Sequence, residues 1–101
     1  MAVVPSQITT LSQLSYNYQE GLVNLAWSPP VSNGSPVLFY TLMKDAGAGV
    51  FYPIYQGSAL QYTDSNLVAG ASYNYQVYAT NGAGSGPVSP VATGIAGALP
   101  G

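Results

Sequence analysis

The alternation of apolar and polar side chains restricts the fold of this chain more than any other feature. In the stretch YNYQVYAT, apolar or aromatic residues recur at every second position: Tyr73, Tyr75, Val77 and Ala79. A repeat of two residues is typical of a β-strand that buries one face, because successive side chains point to opposite sides. Similar segments recur between turn residues along the chain, so the sequence predicts an all-β protein.

Seven segments of the sequence are predicted to be strands. They occupy residues 5–14, 21–30, 37–45, 50–56, 59–67, 73–80 and 87–95. In the second segment, Val23, Leu25 and Trp27 share one face. Pro53 in the fourth segment and Pro90 in the seventh place both segments at sheet edges or bulges, because proline cannot donate a backbone hydrogen bond.

The length of the chain, 101 residues, suits one hydrophobic core. We expect one domain at 5–96, an N-terminal extension at 1–4 and a C-terminal linker at 97–101. The opening MAVVP lacks the basic region and long apolar core of a signal peptide. Because Met1 stands almost directly before the first predicted strand, we expect the chain to be an excerpt from a longer protein.

Charged residues are almost absent, and this excludes several functions. The chain has four of them: Glu20, Lys44, Asp45 and Asp64. Nucleic-acid binding uses several Lys or Arg side chains to neutralise phosphates, and a single Lys cannot supply them. The same shortage removes attraction to anionic membranes, and no apolar stretch is long enough for a spanning helix.

Catalysis and cofactor binding are not expected either. The sequence contains no Cys and no His, so it lacks disulfides, thiol nucleophiles, the usual general base and the strongest transition-metal ligands. The spacing of Glu20, Asp45 and Asp64 favours neither a pair of catalytic carboxylates nor a calcium-binding loop. We therefore predict no catalytic, cofactor or metal site.

Three stretches of the sequence carry a family resemblance. Trp27 followed by SPP is similar to the second strand of that family, and SPVLFYTL at 35–42 is similar to its third strand. Between the fifth and sixth strands the resemblance rests on a combination of residues: Leu67, Gly70, Tyr73, Tyr75, Val77, Ala79, Asn81 and Gly84. In this combination the chain resembles a fibronectin type III domain. The resemblance implies a seven-stranded immunoglobulin-like β-sandwich and a non-catalytic module.

The resemblance also implies which residues form the structural core. They are Trp27, Tyr40, Leu67, Tyr73, Tyr75 and Val77. Trp27 is expected to be the largest central side chain. Tyr73 matches the family's tyrosine corner, in which the ring is buried and the hydroxyl bonds the backbone a few residues upstream. Asp64 lies where the family often has an apolar residue, and we expect it to accept hydrogen bonds from N–H groups of a turn.

The outer face of the third and sixth strands is the candidate protein contact. In the implied fold these strands pair, so Phe39 and Met43 are expected beside Tyr78 on the solvent side, with no charge among them. Contiguous uncharged aromatic and Met side chains resemble interface cores. Phe51, Tyr52 and Tyr55 are expected to extend this surface. The alternatives are an ordinary sheet surface held by cross-strand pairs and carbohydrate stacking on the tyrosines.

Two loops are further candidates. The loop NGAGSG at 81–86 corresponds to the family's best-known recognition loop, but the chain has no Arg and therefore no Arg-Gly-Asp motif. Either the loop is only a tight connection of glycines or it makes a contact. The sequence NGS at Asn33 is either a turn or an N-glycosylation site, and Pro36 shortly after it disfavours modification.

The predicted function is that of a spacer and protein-interaction module in a larger, extracellular multidomain protein, as in cell adhesion. Its partners are expected to be neighbouring domains or other copies of the chain. The extracellular location follows from the family's habit and from a surface rich in Ser, Thr, Asn and Tyr. Two alternatives remain: an accessory module of a secreted carbohydrate-active enzyme, and a subunit of a self-assembling fibre or coat, which the near absence of charge favours.

Overall fold

The computed structural model consists of two antiparallel β-sheets, and it describes residues 3–14, 21–31, 34–45, 49–65, 67–68 and 70–96. Eight strands occur in these ranges: β1 (Ser12–Leu14), β2 (Val23–Ala26), β3 (Val37–Asp45), β4 (Tyr52–Gly57), β5 (Gln61–Asp64), β6 (Ser72–Asn81), β7 (Gly84–Ser85) and β8 (Ala92–Ile95). The smaller sheet has the order β1–β2–β5. In the larger sheet β4, β3 and β6 follow one another, and β7 and β8 both pair with β6.

The prediction of an all-β sandwich of seven strands is confirmed. β7 and β8 both lie along β6 on the side opposite β3, so together they take the place of one interrupted strand. The interruption contains Pro87 and Pro90, which cannot donate to a ladder. A hydrogen bond of 2.8 Å from the Ser89 N–H to the Val77 carbonyl keeps this stretch beside β6.

The first strand is shorter than predicted. A strand over 5–14 is expected from the sequence, but only Ser12–Leu14 pairs with β2 in a regular ladder. Upstream of it the chain bonds irregularly to other parts of the molecule. The Ser6 N–H donates to the Val31 carbonyl at 3.0 Å, and the Val31 N–H donates to Ser6 Oγ at 2.9 Å. Isolated backbone and side-chain bonds thus replace the regular ladder that the composition favoured.

The hydrophobic core lies between the two sheets. Its buried members are Ile8, Val23, Leu25, Trp27, Tyr40, Leu42, Tyr75, Val77, Ala79 and Ala96. Trp27 contacts the Tyr40 ring edge-on, with 6.0 Å between the centroids. Its indole N–H is buried and has no hydrogen-bond partner among the described residues. Alternation in β2, β3 and β6 therefore delivers one face of each strand to a shared interior.

Tyr73 and Leu67 lie at the margin of this core and are only partly buried. The Tyr73 hydroxyl accepts a hydrogen bond of 3.0 Å from the Val68 N–H. This bond spans five residues of the chain and fixes the turn that leads into β6. The arrangement corresponds to the tyrosine corner of immunoglobulin-like sandwiches.

Asp64 does not serve the turn, which corrects the expectation from the sequence. Its Oδ2 atom lies 2.8 Å from Lys44 Nζ and accepts a hydrogen bond of 2.8 Å from the Tyr75 hydroxyl. Lys44 Nζ also lies 4.7 Å from the centroid of the Tyr73 ring. We call these four residues the inter-sheet polar cluster, because Asp64 on β5 and Lys44 on β3 belong to opposite sheets. A buried carboxylate is costly unless it is paired, whereas exposed N–H groups of a turn can bond to water. Asp64 therefore pairs with Lys44 and Tyr75.

The described chain enters and leaves the sandwich at opposite ends of β6. Val3 lies at the end where β6 finishes, since its carbonyl accepts a bond of 2.8 Å from Asn81 Nδ2. Ala96 lies where β6 begins, with its N–H bonded to the Ala71 carbonyl at 2.9 Å. β6 has ten residues, which corresponds to about 30 Å at roughly 3.4 Å per residue.

Candidate interaction surface

The outer face of the larger sheet is built by the β3–β6 pairing. Phe39 lies opposite Thr80, Thr41 opposite Tyr78, and Met43 opposite Gln76. Directly opposed residues of an antiparallel pair share one face of the sheet. The structure therefore brings the predicted contact residues Phe39, Met43 and Tyr78 onto one surface. We call this surface the outer patch.

The large side chains of the outer patch lie against the sheet instead of projecting into solvent. Phe39, Met43 and Tyr78 are each half-buried. Thr41, in the middle of the outer patch, is only 2% exposed. Its hydroxyl accepts a hydrogen bond of 3.3 Å from Gln56 Nε2 on the neighbouring strand. Flanking side chains thus already cover the centre of the patch.

The expected extension of the outer patch onto β4 is wrong for two of its three residues. Tyr55 lies opposite Leu42 and points into the core, where its ring centroid is 5.1 Å from that of Tyr62. Tyr52 lies opposite Lys44, on the face away from the outer patch, and is 45% exposed. The pairing shifts register between Leu42 and Met43, and such an irregularity reassigns the faces of a strand. Phe51 precedes β4 and belongs to no strand.

The described charged residues are all buried, which the sequence did not reveal. Lys44 and Asp64 are each 8% exposed, and Asp45 is 6% exposed. An oxygen of Asp45 accepts a hydrogen bond of 3.1 Å from the Gly49 N–H. The outer patch and the rest of the described surface therefore carry no exposed charged side chain, so shape, apolar contact and neutral hydrogen bonds must govern any recognition there.

The hydroxyls of Tyr75 and Tyr40 are held in the neutral form. Burial raises the pKa of Tyr75 above its ordinary value, and the hydrogen bond to the Asp64 carboxylate raises it further. Burial also raises the pKa of Tyr40. Both causes disfavour the tyrosinate form, so neither hydroxyl is poised to exchange protons near neutral pH, and that of Tyr75 acts as a structural donor to Asp64.

The predicted loop at 81–86 is a tight hairpin in which residues 82–83 connect β6 to β7. The Ala83 N–H donates to Asn81 Oδ1 at 2.9 Å, and Gly84 has a φ of 133° that favours glycine. The Gly82 N–H donates to Ser35 Oγ at 3.3 Å, which ties the loop to the turn before β3. Asn33 of the candidate glycosylation sequence lies outside the described residues.

Among the described residues, no group of three or more His, Cys, Asp or Glu side chains is arranged to hold a metal ion. Within those ranges there is also no helix that is both long and apolar enough to cross a membrane.

Comparison with known proteins decides the family. The sequence profile of the fibronectin type III domain matches residues 6–95. The chain belongs to the fibronectin type III family. Fibronectin type III domains are generally non-catalytic modules. The resemblance seen in the Trp27 and Tyr73 regions is thereby confirmed at the level of the family.

Fibronectin type III relatives of this chain are parts of much longer proteins. "Fibronectin type-III domain-containing protein 3a" of Gallus gallus is 39% identical over 69 residues, which cover 66% of this chain and 6% of that protein. Myosin-binding protein H of Gallus gallus is 34% identical over 77 residues, covering 73% of this chain and 14% of that protein. The chain thus spans only a small part of these relatives. Fibronectin type III domains are thus found as modules within multidomain proteins.

A solved fibronectin type III domain has the same fold. The solution structure of the sixth such domain of human fibronectin type III domain containing protein 3 is 25% identical. The match has a TM-score of 0.83 and covers 100% of this chain and 93% of that one. The two-sheet arrangement described above is accordingly that of the family.

Proposed function

We propose that this chain is a spacer module that holds its neighbours in a multidomain protein at a fixed separation. The main support is that Val3 and Ala96 lie at opposite ends of β6. A module at 5–96, with 1–4 and 97–101 as connections, would place its neighbours about 30 Å apart. The long β3–β6 pairing and the inter-sheet polar cluster support rigidity between those ends.

A pair of spin labels tests the spacer role. The chain has no native Cys, so Val4→Cys and Ile95→Cys provide two unique labelling sites at exposed positions. We expect a single narrow distance distribution centred near 30 Å plus the label lengths. The distribution should be the same in the isolated module and in the parent protein. A broad distribution, or one that changes with the neighbouring domains, would contradict a rigid spacer.

We further propose that the outer patch contacts a protein partner, with neighbouring domains of the parent protein as the first candidates. Support comes from the absence of charge and from the adjacency of Phe39, Met43 and Tyr78, since interface cores are depleted in Lys, Asp and Glu. Carbohydrate has less support, because Tyr52 and Tyr55 lie on the opposite face of the sheet and do not add aromatic rings to the patch.

A charge placed on the outer patch tests the contact. Tyr78→Lys keeps an apolar stem over the sheet but adds an ammonium group. Val91→Lys adds the same charge at an exposed site near β8. We expect Tyr78→Lys to weaken binding to the flanking domains about ten-fold or more, and Val91→Lys to leave it unchanged. Equal binding by both variants would show that the patch is an ordinary sheet surface.

We also propose that the parent protein is extracellular and that this module has no enzymatic activity. A surface rich in Ser, Thr, Asn and Tyr is compatible with secretion. One relative is named for binding myosin, so membership of the family does not decide the compartment. Protease digestion of intact cells that express the parent protein tests the location. Protection of the protein from a protease that cannot enter cells would contradict it.

A further inference from the structure

The edge strands of the two sheets differ in how well they are protected from pairing with a further strand. An unpaired edge presents backbone N–H and C=O groups that can pair with another strand. In the described ranges such edges belong to β1 and β5 in the smaller sheet, and to β4 and the β7–β8 side in the larger sheet. The β8 and β4 edges each have a protection of their own, and the β5 edge has none.

The edge formed by β8 is closed by side chains of the N-terminal segment. Gln13 Nε2 donates to the Ile95 carbonyl at 2.8 Å, and the Ile95 N–H donates to Gln13 Oε1 at 2.9 Å. One amide side chain thus takes the place of a paired strand and also joins β1 to β8. Farther along the same side, Gln7 Nε2 donates to the Val88 carbonyl at 2.9 Å.

The edge formed by β4 is interrupted. Pro53 has no N–H to offer to a further strand, and the register of β4 shifts beside it. Proline and irregular pairing are the usual devices that keep an edge strand from associating.

The outer edge of β5 has none of these protections. Across the described ranges, no strand and no side-chain amide pairs with it. β5 contains no proline, and its one charged residue, Asp64, points inward to Lys44. Its outward residues, Gln61 and Thr63, are exposed and neutral. β5 therefore lacks the Lys, Pro or bulge that edges usually carry.

We propose that β5 is a self-association edge, on which the β5 strand of a second copy of this chain adds antiparallel across a twofold axis. The described surface has no exposed charged side chain, so no described like charges face each other across this pairing. A charged peptide would find no complementary charge there. Self-pairing is isologous, so each copy occupies the open edge of the other.

The inner side of β5 fixes the register of this pairing. Tyr62 and Asp64 must stay on the inner face in both copies. Only registers that place inward residues of one β5 strand opposite inward residues of the other are therefore allowed. A twofold axis at Thr63 places Thr63 opposite Thr63 of the second copy, a favourable cross-strand pair. Only a few residues pair, so the interface is small and dimerisation is expected only at high concentration.

Two threonine variants provide a matched test. Thr63 on β5 donates to Asn24 Oδ1 at 2.7 Å, and Thr93 on β8 donates to Asn74 Oδ1 at 2.9 Å. Both are exposed. Thr63→Lys and Thr93→Lys therefore lose equivalent hydrogen bonds and add the same charge, but only the first lies on the open edge.

Analytical ultracentrifugation from about 10 μM to about 1 mM measures the result. We expect the native chain and Thr93→Lys to form a dimer with the same affinity. Thr63→Lys should weaken the dimer about ten-fold or more, because like charges then face each other. Thermal melting followed by circular dichroism checks that both variants fold. If Thr63→Lys does not fold, Gln61→Lys replaces it and leaves the Thr63–Asn24 bond intact.

Three outcomes overturn the proposal. One is a native chain that stays monomeric over this range. Another is equal loss of dimer in Thr63→Lys and Thr93→Lys. The third is a dimer that Tyr78→Lys removes and Thr63→Lys does not, which would assign the contact to the outer patch.

Discussion

At the scale of single residues, the inter-sheet polar cluster is the least expected feature of this protein. Lys44 and Asp64 form a buried ion pair in a chain that has only four charged residues. Burying two charges costs several kcal/mol per ion, and the pair persists because Tyr75 and the Tyr73 ring supply further favourable contacts. Compared with well-packed apolar residues of similar volume, such a pair contributes little net stability.

Removing one partner of this pair should be strongly destabilising. Lys44→Met leaves the Asp64 carboxylate buried without a counter-ion, so we expect the free energy of unfolding to fall by about 3–5 kcal/mol. Adding Asp64→Asn removes the stranded charge while keeping an oxygen for the Tyr75 hydroxyl, and should recover part of the loss. Urea unfolding measures both variants. A loss below about 1 kcal/mol for Lys44→Met would mean that the pair is solvated.

Tyr75 should make the protein sensitive to alkaline pH. Its pKa is raised by burial and then by Asp64, so the folded chain keeps a proton that the unfolded chain loses near pH 10. This contribution is fully present below about pH 10. Above it, the free energy of unfolding should fall by up to about 1.4 kcal/mol per pH unit.

Tyr75→Phe removes this source of alkaline instability. Urea unfolding between about pH 8 and about pH 11 should give a shallower decline for Tyr75→Phe than for the native chain. Tyr78→Phe removes a hydroxyl from the outer patch and serves as the control, with the native decline expected. The same decline in all three proteins would contradict the role assigned to Tyr75.

At the scale of the strands, β8 passes close over the smaller sheet. Gly94 is buried, and a Cβ atom added there would lie 2.6 Å from Val23 Cγ1 and 3.1 Å from Tyr75 Cε2. Neither of these side chains can move easily, because both are fully buried. The glycine is therefore required by packing between β8 and β2 and not by the conformation of its backbone.

Gly94→Ala should overpack this contact. We expect a loss of about 1–3 kcal/mol in the free energy of unfolding. Thr93→Ala, one residue earlier on the exposed side, should cost no more than about 1 kcal/mol for its hydrogen bond to Asn74. Thermal unfolding compares the two variants. A larger effect from Thr93→Ala would mean that β8 packs differently from the arrangement described.

Strands and faces could be predicted from the sequence wherever alternation is regular. β2, β3 and β6 carry the predicted inward residues, and the outer patch follows from the same alternation. β4 could not be predicted in this way, because the register shift beside Pro53 turns Tyr55 inward. Residues 5–11 also escaped prediction, since their bonds go to Val31 and Val88 in distant parts of the chain.

At the scale of the whole molecule, the described surface has no exposed charge and the Lys44–Asp64 pair is screened from solvent. Salt weakens interactions between exposed charges far more than between buried ones. We expect the free energy of unfolding in urea to change by less than about 0.5 kcal/mol between low salt and about 0.2 M NaCl. A clear decrease of the free energy of unfolding on addition of salt would indicate that the Lys44–Asp64 pair, or charges beyond the described residues, interact through solvent.

The amino-acid pattern alone determined the class of fold, because a period of two with interspersed turn residues and prolines is compatible only with short strands packed in layers. It also excluded functions that need a thiol, an imidazole or several cationic side chains, since the sequence has no Cys, no His and a single Lys. Only the tertiary structure decided which residues meet. Lys44 and Asp64 lie on different sheets, and Gln13 reaches Ile95 across 82 positions of sequence. Such contacts depend on how the sheets are stacked, and no local pattern encodes them.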